Sequence, residues 1–437
     1  MIDRRSLLYS GAAASASAVF AAPAFAAGER RFPKSFLWGA ATAGHQVEGN
    51  NIASDLWFLE HMKPTVFAEP SGDAVNSFAL WPQDMDIVKA LGLNSYRFSI
   101  EWARIEPEPG EFSVAMLDHY KAMIDGCRAR GLTPIVTFSH FTTPRWFAAI
   151  GGWTNPQSPT LFARYCKRAA QHLAAGIGYA VTLNEPQLLH ILKWGGLPPQ
   201  VWDIQKATLA AASKAMGVAK FASSNVADIA DLQVMDRNLL AAHSAGRAAI
   251  KEVRPDLPVG VSLAVEDDQA VGSSVKRDAK RAEAYAPWLA AAKGDDFIGV
   301  QNYTRVRFDA IGALPIPSTS PQSDLHQEIY PASLGNAVRY VHAETKLPVM
   351  VTEHGVGTSD DRVRANLIPA ALVSLQAAIA DGVPVVGYMH WSLLDNFEWI
   401  FGYKPKFGLV EVDRTTFRRT PKPSANVLGG IARANSL

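Results

Sequence analysis

Eight short runs of apolar, largely β-branched residues recur along this chain, at 36–41, 95–100, 133–139, 179–184, 259–263, 297–303, 349–353 and 385–391. Longer segments of helical period separate them, at 81–91, 116–130, 159–175, 227–253, 276–292, 334–345 and 365–381. A strand that is apolar throughout has no solvent face, and parallel sheets covered by crossover helices provide that environment. The alternation predicts an α/β chain, either one closed (β/α)8 barrel or a doubly wound open sheet. Only the closed form removes every sheet edge. A nucleotide-binding open sheet would carry GxGxxG after its first strand, but Gly39 and Gly44 do not fit that spacing and no acidic partner stands at the expected distance. The 437 residues suit one large barrel, since such domains run past about 250 residues, and no linker interrupts the rhythm after Glu29.

Charge excludes some partners. Lys and Arg total 42 against 41 Asp and Glu, a net of +1, so no large field draws nucleic acid or anionic lipid. At the N-terminus Arg4 and Arg5 precede a mild Ala-rich apolar run, and Ala24-Phe25-Ala26 forms a small-x-small cleavage site. Residues 1–26 are therefore expected to be a twin-arginine export signal, leaving a periplasmic protein that begins near Ala27 and comprises 27–437. No other segment holds 18 unbroken apolar residues, so no membrane span is expected. Cys127 and Cys166 fall in separate helical stretches and are read as small buried apolar residues. There is no CxxC, HExxH or clustered His/Cys spacing, which gives no support for a metal site.

Polar and aromatic groups gather at one end of the runs. His45, Gln46 and Glu48 follow the first, Arg97 lies in the second, His140 follows the third, and Asn184 with Glu185 closes the fourth. Tyr303 ends the sixth, Glu353 the seventh and Trp391 the eighth, with Glu398 and Trp399 just beyond. Each residue alone has an ordinary structural use, as a core ring, a buried ion-pair partner or a hydrogen-bonded histidine. Their common position at strand C-termini is harder to assign to packing, because the loops there converge on one barrel mouth. Two carboxyls delivered to such a mouth, Glu185 and Glu353, are what cleavage of a glycosidic bond needs. The Pro/Ser/Gly-rich stretch 310–321 after the sixth run is expected to form part of the site wall.

Longer strings carry a specific resemblance. FLWGAATAGHQVEG from Phe36, YRFSIEWARIEPEPG from Tyr96, TPIVTFSHFTTPRWF from Thr133, TLNEP ending at Pro186, DFIGVQNYT from Asp296, VTEHG ending at Gly355 and GYMHWSLLDNFEWIFGYKPKFGLVEVD from Gly387 follow one another across nearly the whole mature chain. The chain resembles the β-glycosidases of glycoside hydrolase family 1, in family order. That resemblance implies a single (β/α)8 barrel, a β-glycoside as small-molecule substrate, hydrolysis with net retention, and no cofactor or metal. By the same resemblance Glu185 is the acid/base, Glu353 the nucleophile, and Arg97 and Tyr303 support the nucleophile. Gln46, His140, Asn184, Glu398 and Trp399 are the hydroxyl-binding set, Trp391 is the platform beneath the sugar, and Trp146 and Phe407 are walls.

There are departures from the family pattern. His354 stands where the family usually has Asn, and a titratable ring beside Glu353 is expected to influence the acid limb of the pH profile. Gln301-Asn302-Tyr303 replaces Asn-Tyr-Tyr. The region 265–295 is shorter than usual, which predicts a lower wall and a wider mouth. A transglycosylase and a catalytically silent sugar-binding barrel remain alternatives to an exo-acting β-glucosidase. Oligomeric state is not legible in the sequence.

Overall fold

The structure is a computed structural model that describes residues 31–437, so the segment 1–26 expected to be an export signal lies outside the described residues. Eight strands form the barrel: β1 (Leu37–Ala41), β2 (Ser95–Ser99), β3 (Thr133–Ser139), β4 (Tyr179–Asn184), β5 (Val259–Ala264), β6 (Phe297–Asn302), β7 (Val349–His354) and β8 (Val385–Trp391). Each pairs in parallel with its sequence neighbours, and β8 returns to β1 through Leu37 against Gly387 and Ala41 against Trp391. The barrel alternative is therefore the correct one. Its strands are buried on both faces because their side chains serve two separate cores. Ala41, Ile135, Val181, Phe297, Met350 and Met389 fill the lumen, whereas Val136, Val261, Val300, Val351 and Tyr388 pack outwards against the helices.

Irregular pairing falls where the polar residues sit. Between β6 and β7, Val300 pairs with Val351 and Gln301 with Glu353, so Thr352 is an extra residue on β7. Strict alternation from Met350, which faces the lumen, and Val351, which faces out, would send Glu353 towards the helices. The bulge reverses that aim: Glu353 turns into the mouth and His354 turns away from it. A second bulge lies between β4 and β5, where Val181 pairs with Gly260 and Asn184 with Ser262. Val181 faces the lumen, and the additional residue returns Asn184 to the same side.

Most expected helices form within a few residues of their predicted bounds, among them Ser77–Ala90, Val114–Ala129, Ser158–Leu173 and Ser333–Thr345. The stretch 276–292 divides into Val275–Ala284 and Ala286–Ala291, since Pro287 lacks an N–H and its ring blocks a continuous helix. Several helices were not anticipated, among them Leu188–Trp194, directly after Glu185, Pro199–Met216 and the C-terminal Pro423–Ala434. Helix Asp361–Ala380 is long and apolar enough to cross a membrane, but it packs between Ser333–Thr345 and Pro423–Ala434 in the outer ring of the barrel. Cys127 and Cys166 are buried free thiols, as read from the sequence.

Candidate active site

Glu185 follows β4 in the left-handed region, at φ 43°, and its N–H donates to Ser262 O at 2.8 Å. A non-glycine residue there costs roughly 1–2 kcal/mol, and such strain collects at functional sites. Across the mouth, Glu353 is gripped at both oxygens. Arg97 Nη1 donates to Oε1 at 2.6 Å and the Tyr303 hydroxyl donates to Oε2 at 2.6 Å. The other arm of the Arg97 fork donates to Asn184 Oδ1 at 2.5 Å, so one fully buried guanidinium ties β4 to β7. Gln301 Nε2 donates to the same Asn184 oxygen at 2.8 Å, and Asn184 Nδ2 meets His140 Nε2 at 3.1 Å.

The two carboxyls differ in how far their surroundings compensate for burial. Burial raises the Glu185 carboxyl well above the usual carboxylate range, the Glu353 charge raises it further, and Arg97 only partly opposes this. Among the described residues, none donates a hydrogen bond to it. Burial also raises Glu353 and leaves it above the usual carboxylate range, but Arg97 and the Tyr303 hydroxyl offset part of that rise. A single proton shared between them therefore resides on Glu185, and Glu353 is the anion. A third carboxyl, Glu398, is pushed up to about 8 by burial and by the Glu353 charge, against a weak contact from Gln46. His140 is held neutral by burial and by the Arg97 charge. Accepting from Asn184 at Nε2 leaves its proton on Nδ1, which is buried without a partner.

Around these groups lies a cavity of about 240 Å³ whose lining includes His140, Glu185, Tyr303, Glu353, Trp391, Glu398, Trp399 and Phe407. Gln46 sits just behind it, its amide N–H shared between Phe397 O at 2.7 Å and Glu398 Oε2 at 3.4 Å, with its own carbonyl oxygen unpartnered. Phe407 meets Tyr303 edge-on at 6.0 Å. His140 lies nearly parallel to both Trp391 and Trp399, at 5.7 and 6.0 Å between centroids.

Three expectations need correction. Trp146 is not a cavity wall: its indole N–H donates to Glu106 O at 2.9 Å and its ring packs edge-on against Trp102 and Phe147 in the outer core. The stretch 310–321 does not reach the cavity either. A short strand, Arg305–Phe308, intervenes after β6 and pairs with Asp267–Ala270, and the cavity wall is supplied further on by Leu325 and Gln327. His354 does not titrate beside Glu353, because the bulge turns it onto the Tyr388 hydroxyl at 2.8 Å, where burial holds its pKa down at about 3.

Comparison with known proteins bears on all of this. The glycosyl hydrolase family 1 sequence pattern matches residues 28–312 and 309–437. The chain belongs to glycosyl hydrolase family 1. A β-glucosidase of Agrobacterium sp. (strain ATCC 21400) is 30% identical over 92% of this chain and 95% of its own length. Two solved structures, a β-glycosidase and an apo β-glucosidase, share 46% and 43% identity, each with a TM-score of 0.88, covering 93% and 91% of this chain and 98% of theirs. The protein is thus a glycoside hydrolase on the barrel of its family.

Some residues that shape the site of this family 1 glycoside hydrolase were given no role in it from sequence. Gln301 was noted only as a departure, yet it fixes Asn184. His45 supports Trp399 from behind, its Nε2 paired with the buried Glu60 at 2.8 Å. The wall built by Leu188, Ile191 and Leu192 left no signal beyond an i, i+3, i+4 apolar spacing after Pro186.

Proposed function

We propose that this glycoside hydrolase is a retaining, exo-acting β-glycosidase with a preference for β-glucosides, working by double displacement. The observation that carries the reading is the asymmetry of the carboxyl pair: two donors hold Glu353, and none holds Glu185. Glu185 gives its proton to the glycosidic oxygen while Glu353 attacks the anomeric carbon, forming a covalent glycosyl-enzyme. With the leaving group gone, Glu185 accepts a proton from water, and that water returns the sugar with its configuration kept.

Arg97 and Tyr303 keep the attacking carboxylate ionised and aimed. Asn184, fixed by Arg97 and Gln301, is available to the 2-hydroxyl, where a hydrogen bond strengthens in the transition state. The unpartnered Gln46 Oε1 and His140 Nδ1–H, together with Glu398 and Trp399, take the remaining hydroxyls, and Trp391 offers an apolar face to the ring's axial hydrogens. Phe407 closes the side next to Tyr303. Export to the periplasm by the twin-arginine leader belongs to the same proposal, and Arg4→Lys with Arg5→Lys should retain the protein in the cytoplasm.

The test is Glu353→Ala assayed on 4-nitrophenyl β-D-glucoside with azide. Turnover should vanish and return with azide, giving the α-glucosyl azide. Unrescued loss, or a β-configured azide, would remove Glu353 from the nucleophile role.

A further inference from the structure

Leu188, Ile191 and Leu192 stand at i, i+3 and i+4 of helix Leu188–Trp194 and so share one face. That face lines the active-site cavity: Ile191 is buried in the hydrophobic core, while Leu188 and Leu192, packed against that core, remain only half-buried. The other side of the helix is clamped. His190 pairs with Asp236 and, at 3.0 Å, with Glu283, while Lys193 and Trp194 donate to the same Glu283 at 2.7 and 2.9 Å. Nothing in this arrangement lets the helix rotate to hide its aliphatic face. Leu197, Leu325 and Ile400 extend the apolar surface, and Phe401 stands at its rim, 49% exposed.

Position decides what this surface meets. The helix begins three residues after Glu185, and Leu188 N–H donates to Glu185 O at 3.0 Å. An acid that protonates the leaving oxygen must face the leaving group, so the wall beside it is on the aglycone side. Most polar groups in this part of the lining are already engaged, which leaves the Asn225 and Gln327 amides and the Gln301 carbonyl oxygen without protein partners among the described residues. Glu266 is held by Lys280, the Gln301 amide by Asn184, the Gln205 carbonyl by Ala227 N–H at 3.0 Å, and the Thr304 hydroxyl by Glu328 O at 2.9 Å. A second sugar would need partners for several hydroxyls and would find few free ones, whereas an apolar group would cover exposed hydrocarbon.

We infer that the aglycone subsite selects β-glycosides of apolar alcohols, alkyl or larger hydrocarbon aglycones, over disaccharides. The inference rests on Glu185 being the acid of the proposed reaction. Methyl, butyl and octyl β-D-glucosides have leaving alcohols of similar acidity, so their kcat/KM values compare the subsite alone. Below the micelle concentration, kcat/KM should rise by about tenfold or more from methyl to octyl, the effect of burying as few as two methylenes, and cellobiose should fall below octyl glucoside. Leu192→Asn and, independently, Leu197→Ser should cut the octyl-to-methyl ratio by at least about threefold; the ratio reads the subsite even if either variant is less stable. A flat alkyl series, or cellobiose as the better substrate, with 4-nitrophenyl β-D-glucoside still hydrolysed, overturns this inference alone. No turnover of the 4-nitrophenyl glucoside overturns the proposed β-glucosidase reading and this inference with it.

Discussion

His45 lies flat against Trp399, with ring centroids 5.9 Å apart and planes within 2°, and its Nε2 meets the buried Glu60 carboxylate at 2.8 Å. Glu60 is itself held by the Ser71 N–H at 2.8 Å and hydroxyl at 2.7 Å. A chain of contacts thus runs from an interior carboxylate to an indole in the cavity wall. Burial works to lower the His45 pKa, but Glu60, aided by Glu101 and Asp55, raises it overall.

That sign yields a stability prediction. A raised folded pKa contributes stability that is complete below the unfolded value of about 6.5 and is lost as pH rises through the folded value. His45→Gln keeps an N–H for Glu60 but removes the charge. Its melting temperature should lie further below wild type at pH 6 than at pH 9, and a gap independent of pH would show that His45 is neutral. Loss of the stacked ring should also raise KM for a β-glucoside about two- to tenfold, the value of an aromatic pair.

Tyr303→Phe removes a 2.6 Å hydrogen bond to the Glu353 carboxylate. A donor lost from the charged form raises the carboxyl pKa, so the acid limb of kcat/KM should move to higher pH. A hydrogen bond to a charged group contributes about 1.5–3 kcal/mol, which corresponds to a rate loss of roughly ten- to a hundredfold. An unmoved acid limb would separate Tyr303 from Glu353 ionisation.

For Glu185, burial and the neighbouring Glu353 charge set the basic limb, where the acid loses its proton. Glu185→Gln should abolish that limb. It should slow methyl β-D-glucoside by about 10²–10⁴ while sparing 2,4-dinitrophenyl β-D-glucoside in the glycosylation step, because the latter's leaving group needs no proton. Equal losses on both substrates would reject the acid assignment.

His354→Asn restores the residue usual in the family and should leave the acid limb where it is, since the His354 ring points to Tyr388 and not to Glu353. Stability should respond instead. The folded ring stays neutral down to a pKa of about 3, whereas the unfolded one gains a proton near pH 6.5, so wild type loses stability progressively across that interval. Urea midpoints at pH 7 and pH 4.5 should show the variant gaining on wild type at the lower pH.

The sequence determined the strand count, the barrel class and the identity of the groups at the mouth. Runs such as VMVTEH and YAVTLN are apolar enough to require two covered faces, and the polar residues that close them have few other reasons to sit there. Because those runs are apolar on both faces, they carry no alternation from which the aim of each side chain could be read. Whether Glu353 or His354 entered the mouth was decided by one extra residue on β7, and the orientation of Asn184 by another on β4, both fixed by pairing with distant strands. Trp146 misled for a related reason: an aromatic ring next to a site motif packs inwards or outwards according to the helix that carries it. The tertiary structure alone settled these directions, because strand register is a property of two segments together and no single segment contains it.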